Sequence, residues 1–198
     1  MRILLFGGTF DPPHNGHVSL LRACIGAASP SQVVVMPAGA PPHKTFYGTP
    51  APLRVQMCEA AFTPCFENLT VSELEIKRAG KSYTADTVES LLEDNPGAQL
   101  FLCVGGDMLA SFTKWNRYEQ LLQRVTLVAH PREAGEQEAF CAAVVALQAQ
   151  GGRVLVCEGP LVQISSTQVR AARARGNSLK GLVPPAVLEI ITKNNLYE

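Results

Sequence analysis

Short apolar runs alternate with amphipathic, helix-like stretches along the chain, and few folds accept that pattern. Strand-like runs fall at Arg2–Phe6, Gln32–Met36, Leu69–Val71, Gln99–Val104, Val125–Ala129 and Arg153–Cys157. Between them, helical spacing occupies Gly16–Ala28, Leu53–Phe62, Ala85–Glu93, Glu133–Ala149, Thr167–Arg175 and Pro185–Asn194, with one or two further helices across 107–123. Ser72–Lys81 is ambiguous, another extended piece being one option. Strands that alternate with helices pair in parallel through right-handed crossovers, so a mainly parallel α/β sheet is expected. Ligands of such sheets bind at the carboxyl ends of the strands, near the point where strand order reverses.

Composition narrows the function. With 198 residues, 46% of them apolar, the chain suits one domain spanning 1–198, its last part, from about 165, being helical. Seventeen basic residues balance seventeen acidic ones, which argues against bulk electrostatic binding to nucleic acid or to a membrane surface. No signal-peptide layout precedes Gly7-Gly8 and no run reaches transmembrane length. The six cysteines include no Cys-x-x-Cys pair and mostly sit in apolar runs, as buried thiols of a reducing cytoplasm do.

The chemistry-bearing motifs follow strands or open helices. Gly7-Gly8-Thr9-Phe10-Asp11-Pro12-Pro13-His14-Asn15-Gly16-His17 leaves the first strand and enters a helix. Backbone amides at a strand-to-helix turn suit an anion, and imidazoles there suit a phosphate that gains charge during reaction. An ordinary capped turn, with Asn15 as cap, or a metal site at His14 and His17 are the alternatives, and no nearby Cys/His cluster supplies further metal ligands. Met36–Lys44 opens a proline-rich loop over 37–52 that carries Lys44. Ser82-Tyr83-Thr84-Ala85-Asp86-Thr87 offers Thr84 as a helix cap. Val104-Gly105-Gly106-Asp107 puts a carboxylate after a strand, where it caps a helix or accepts ribose hydroxyls, and Trp115-Asn116 follows. Ile164-Ser165-Ser166-Thr167-Gln168-Val169-Arg170 joins hydroxyls, helix amides and a guanidinium, an anion site suited to polyphosphate.

The first of these stretches resembles the signature of the nucleotidylyltransferase superfamily, whose core pattern ends in His-x-Gly-His, and its full form is most similar to that of the bacterial nicotinate-nucleotide adenylyltransferases. The loop with Pro41-Pro42-His43-Lys44, the Ser82–Thr87 stretch, Ile164–Arg170 and the ending through Asn195-Leu196-Tyr197 carry the resemblance from residue 3 to 197. It implies a Rossmann-like doubly wound sheet and transfer of the adenylyl group of ATP to nicotinate mononucleotide, with Mg²⁺ on the ATP phosphates. It assigns His14, His17 and Arg170 to catalysis. Gly7, Gly8, Thr9, Phe10, Gly105, Asp107, Ile164, Ser165, Ser166 and Thr167 go to ATP, and Lys44, Thr84, Trp115, Asn116 and Arg132 to the mononucleotide. Arg54 also matches the family, a structural role at its helix start being the alternative. Where that family often has Arg-Pro-Gly, this chain has His130-Pro131-Arg132, so the residue replacing the family's arginine stays open. A sibling enzyme that prefers nicotinamide mononucleotide and a nucleotide-binding regulator without turnover are the alternative functions.

Overall fold

The computed structural model describes residues 1–39, 48–131, 137–158 and 162–198. Lys44 and Arg132 lie outside them. Among the described residues the strands are β1 (Arg2–Gly8), β2 (Gln32–Pro37), β3 (Leu69–Val71), β4 (Gln99–Gly105), β5 (Val125–His130) and β6 (Arg153–Val156). The helices are α1 (Asn15–Ala28), α2 (Ala51–Phe62), α3 (Leu74–Lys77), α4 (Thr84–Asp94), α5 (Gly106–Ala110), α6 (Tyr118–Arg124), α7 (Gln137–Ala149), α8 (Ser166–Ala174) and α9 (Pro185–Lys193). The six strands form one sheet in the order β3-β2-β1-β4-β5-β6. β4 runs parallel to β1 and β5, and β5 parallel to β6. This is the Rossmann-like doubly wound arrangement, whose order reverses between β1 and β4.

The chain divides into two compact units. One comprises Met1–Phe6, Leu20–Val34 and Tyr83–Leu161; the other comprises Gly7–Ser19, Val35–Ser82 and Val162–Glu198. In the first, the apolar runs of β1, β4 and β5 are buried almost continuously, as strands covered on both faces require. α4 packs on α6 and α5 on α7. Arg2 lays its guanidinium over the Phe101 ring and donates to the carbonyls of Ala28 and Ser29, where a cation suits the carboxyl end of α1. In the second unit α2 packs on α9, and Met57, Phe62, Val187 and Ile191 are fully enclosed. Each such side chain contributes roughly 1.5–3 kcal/mol by leaving water.

Three local expectations are corrected. Ser72–Lys81 contains no extended strand; it holds the single helical turn α3. Thr84 is not the cap of α4: Tyr83 occupies that position with extended backbone, and Thr84 is already helical. Asn15 is likewise inside α1, its amide reaching the Gly181 carbonyl at 2.8 Å. The cysteines are free; Cys24, Cys58, Cys103 and Cys157 are buried, whereas Cys141 is exposed.

Candidate active site

The turn after β1 is shaped by steric limits. Phe10 has φ 50°, a left-handed conformation that bulky residues avoid, and its ring is buried edge-on to Phe62 and His17. A side chain at Gly8 would come within 2.9 Å of that ring. Gly7 faces open space. The Gly16 position is closed as well: a Cβ there would stand 2.7 Å from the Val162 carbonyl and 3.0 Å from the His14 ring. The Gly between the two histidines is thus a packing requirement.

His14 and His17 cap α1 reciprocally. The His17 N–H reaches His14 Nδ1 at 3.3 Å as well as the His14 carbonyl at 2.9 Å, and the His14 N–H reaches His17 Nδ1 at 3.3 Å. This is capping-box logic with imidazoles replacing hydroxyl and carboxylate. The rings stack with centroids 3.6 Å apart. Because each Nδ1 accepts, each neutral ring carries its proton on Nε2, the tautomer that makes Nε2 a donor suited to phosphate oxygen.

The second half of the signature comes from α8. Ser165 caps it in a full capping box with Gln168, and the Ile164 N–H just ahead is bound to the Val162 carbonyl. Ser166 Oγ donates to the Pro12 carbonyl at 2.9 Å, and Arg170 Nη1 donates to the Asp11 carbonyl at 2.6 Å. Arg170 Nη2 lies 3.3 Å from Thr167 Oγ1. The first turn of α8 is therefore bolted to the signature turn. The bolting also changes what the hydroxyls can do. Ser165 commits its hydrogen to Gln168 Oε1 and Ser166 commits its own to Pro12. With both hydroxyls so bonded, the groups this turn has to offer an anion are the opening amides of α8 and the guanidinium.

Beneath the turn, Arg54 is 2% exposed and donates to the carbonyls of Thr49 and Thr9, at 3.2 and 2.9 Å. Burial lowers its pKa from the usual arginine value, with Asp11 opposing the shift. These bonds give it a structural place beneath the turn, in keeping with one of the two options that its sequence position leaves open.

Within the other unit, Gly105 is the last residue of β4, opposite His130 of β5, and precedes α5. Asp107 lies in the first turn of α5, and its Oδ1 stands 2.8 Å from where a Cβ on Gly105 would be. Trp115 is half-buried against Phe112, with ring centroids 5.1 Å apart, and Asn116 is exposed. Next to them Arg117 takes the left-handed conformation, φ 53°, and forms ion pairs with Asp86 and Glu89 of α4. Arg117 thereby ties the Trp115-Asn116 segment to the helix that Thr84 opens. Sequence reasoning missed it; the only signal was a cation directly after Trp115-Asn116, with two acids in the first turns of α4. His130 is buried, with Nδ1 2.6 Å from the Pro131 carbonyl. Among the described residues no three His, Cys, Asp or Glu side chains form a metal cluster, and no helix is long and apolar enough to cross a membrane.

A phosphate-suited turn behind the first strand of a doubly wound sheet defines a nucleotide-handling class. Residues 5–172 match the family model described as cytidylyltransferase-like. A protein from Synechococcus sp. (strain JA-2-3B'a(2-13)), named "Probable nicotinate-nucleotide adenylyltransferase", is 36% identical over 99% of this chain and 96% of its own length. One of the same name from Exiguobacterium sibiricum is 36% identical over 100% of this chain and 99% of its own. Among solved structures, Plasmodium falciparum nicotinic acid mononucleotide adenylyltransferase complexed with NaAD superposes with a TM-score of 0.82 at 18% identity, covering 99% of this chain and 97% of that one. That likeness speaks for the fold. The chain belongs to the cytidylyltransferase-like family and, within it, to the nicotinate-nucleotide adenylyltransferases.

Proposed function

We propose that this protein is an adenylyltransferase that joins the adenylyl group of ATP to nicotinate mononucleotide, releasing pyrophosphate and forming deamido-NAD, a step of NAD biosynthesis in the cytoplasm. The observation that carries this is the joining of the His14–His17 turn to the first turn of α8, which brings imidazole, guanidinium and helix amides to one segment.

Chemically, a phosphate oxygen of the mononucleotide attacks the α-phosphorus of ATP. The new P–O bond forms as the bond from that phosphorus to the β-phosphate bridging oxygen breaks, and pyrophosphate leaves with the electron pair. The attacking phosphate is already ionised near neutral pH, so no side-chain nucleophile is needed and catalysis is positioning plus charge stabilisation. The Nε2–H groups of His14 and His17 donate to phosphate oxygens as charge grows there. Arg170 and the opening amides of α8 hold the β- and γ-phosphates. Magnesium would arrive with ATP and would supply charge neutralisation at the phosphates, beside the part that Arg170 and the opening amides of α8 play there. Gly7, Gly8, Thr9 and Phe10 offer main-chain contacts to ATP, while Gly105 and Asp107 serve its ribose. Thr84, Trp115 and Asn116 receive the pyridine ring, with Lys44 on the phosphate side of the mononucleotide and Arg132 a further candidate contact to it.

Pyrophosphate release from magnesium-ATP, followed with nicotinate and nicotinamide mononucleotide side by side, tests this. Release should depend on the mononucleotide and give the higher kcat/KM with the acid. Faster turnover of the amide would move the protein to the sibling activity, and absence of any release would refute adenylyl transfer.

A further inference from the structure

Asp11 lies in the signature turn yet has no part in the chemistry above. It is 6% exposed, and its side chain is held from two directions. Tyr197 donates its phenol hydrogen to Asp11 Oδ1 at 2.6 Å, and the Thr49 N–H points to Oδ2 at 3.4 Å. The Thr49 hydroxyl in turn donates to the Tyr197 oxygen at 2.9 Å. Thr49 is steadied through its carbonyl by Arg54, whose other arm reaches Thr9. The bonds close a circuit: Thr9, Arg54, Thr49, Tyr197 and Asp11, returning to the turn two residues beyond its start. Asp11 also supplies the main-chain carbonyl that receives Arg170 Nη1.

We infer that Tyr197 is a positioning residue for adenylyl transfer: its hydroxyl, relayed from Thr49 to the Asp11 carboxylate, sets the Asp11 peptide that aims Arg170. Three features single out the hydroxyl. It is the only group in the circuit that both accepts from one segment and donates to another. A short bond from a phenol to a buried carboxylate is of the strong, charge-assisted kind. The carboxylate is followed directly by Pro12, whose carbonyl takes the Ser166 hydrogen, so a shift of Asp11 would be felt at both bolts to α8. Burial and the neighbouring Asp11 raise the Tyr197 pKa above the usual tyrosine value, which keeps the phenol protonated and able to donate.

Tyr197→Phe removes the relay and keeps the ring. The kinetic arm of the test rests on the adenylyl-transfer reading; the binding arm does not. The variant should lower kcat about tenfold with the KM for nicotinate mononucleotide within about twofold, since a small misplacement of a phosphate-holding group acts on turnover. It should also weaken calorimetric binding of inorganic tripolyphosphate about tenfold, the size expected when one hydrogen bond to a charged group is lost. Thr49→Val, which deletes only the outer donor, should move both quantities the same way by about threefold and serves if Tyr197→Phe does not fold. A folded variant with kcat and tripolyphosphate affinity within twofold of wild type, its only loss being in melting temperature, would overturn the inference. Were the wild type inactive, the function would fall, and the tripolyphosphate comparison would still decide the role of Tyr197.

Discussion

The two units hold their functional segments by different means. The signature turn is fixed through part-buried hydrogen bonds to main-chain carbonyls and to one carboxylate, made by Arg54, Ser166, Arg170 and Tyr197 and centred on the buried side chains of Arg54 and Asp11. The Trp115-Asn116 segment is fixed through Arg117 and its ion pairs with Asp86 and Glu89, side chains that are 34%, 37% and 43% exposed. A buried group such as Asp11 or Arg54 is poorly served by water when one of its partners is lost. Half-exposed ion pairs are screened and weak, about 0–1 kcal/mol each. The contrast fits the division of labour proposed above, in which the phosphate-handling groups need to be held closely in place.

The largest effect should come from the turn itself. His17→Ala should cut kcat by about 100-fold or more while the melting temperature falls by only about 2–4 °C for the lost cap bond, because in the proposed mechanism the lost donor is aimed at developing charge. Steady-state kinetics beside a thermal melt will separate the two. Gly16→Ala should cost stability, about 1–3 kcal/mol in urea unfolding, because the added methyl meets the Val162 carbonyl at 2.7 Å. A variant as stable as wild type would mean that the turn yields more readily than its packing indicates.

Arg117→Ala, on the other side of the comparison, should be mild. The KM for nicotinate mononucleotide should rise about threefold with kcat unchanged, and the gap between variant and wild type should narrow at 1 M salt, where the Debye length is about 3 Å. A large, salt-independent loss of kcat would erase the distinction between the units. The smallest effect is a pH dependence. Tyr197 is held above its ordinary 10.0 by burial and its bond to Asp11, Cys24 above its ordinary 9.0 by its hydrogen bond with Cys103 and by burial, and Cys58 above 9.0 by burial. Groups raised in this way stabilise the folded state fully below their unfolded pKa values and lose that contribution as pH rises past them. Melting temperature should accordingly hold up to about pH 9 and fall above it, and Tyr197→Phe should soften the fall above about pH 10.

Much of this was legible in the chain. The short strand Leu69–Val71 lies where its apolar spacing places it, and β1, β4 and β5 each extend only one or two residues beyond their runs. The motifs fall at strand ends and helix starts because glycine and proline mark those turns. Caps were read less well. Asn15 and Thr84 have the composition of caps, but the His14 ring and the extended backbone of Tyr83 stand at those ends, choices made by the tertiary setting. Arg117 and Tyr197 were not legible as supports. Asp11 and Tyr197 are 186 residues apart, and no local periodicity connects them.

The central claim is that the histidine turn and the first turn of α8 act together on one polyphosphate. A double-mutant cycle of His17→Ala and Arg170→Ala on kcat/KM for ATP tests it directly. If both act on the same transition-state charge, the double variant should lose much less than the product of the two single losses, a coupling of about 1 kcal/mol or more. Losses that multiply to within about 0.3 kcal/mol would show two independent sites and contradict the account.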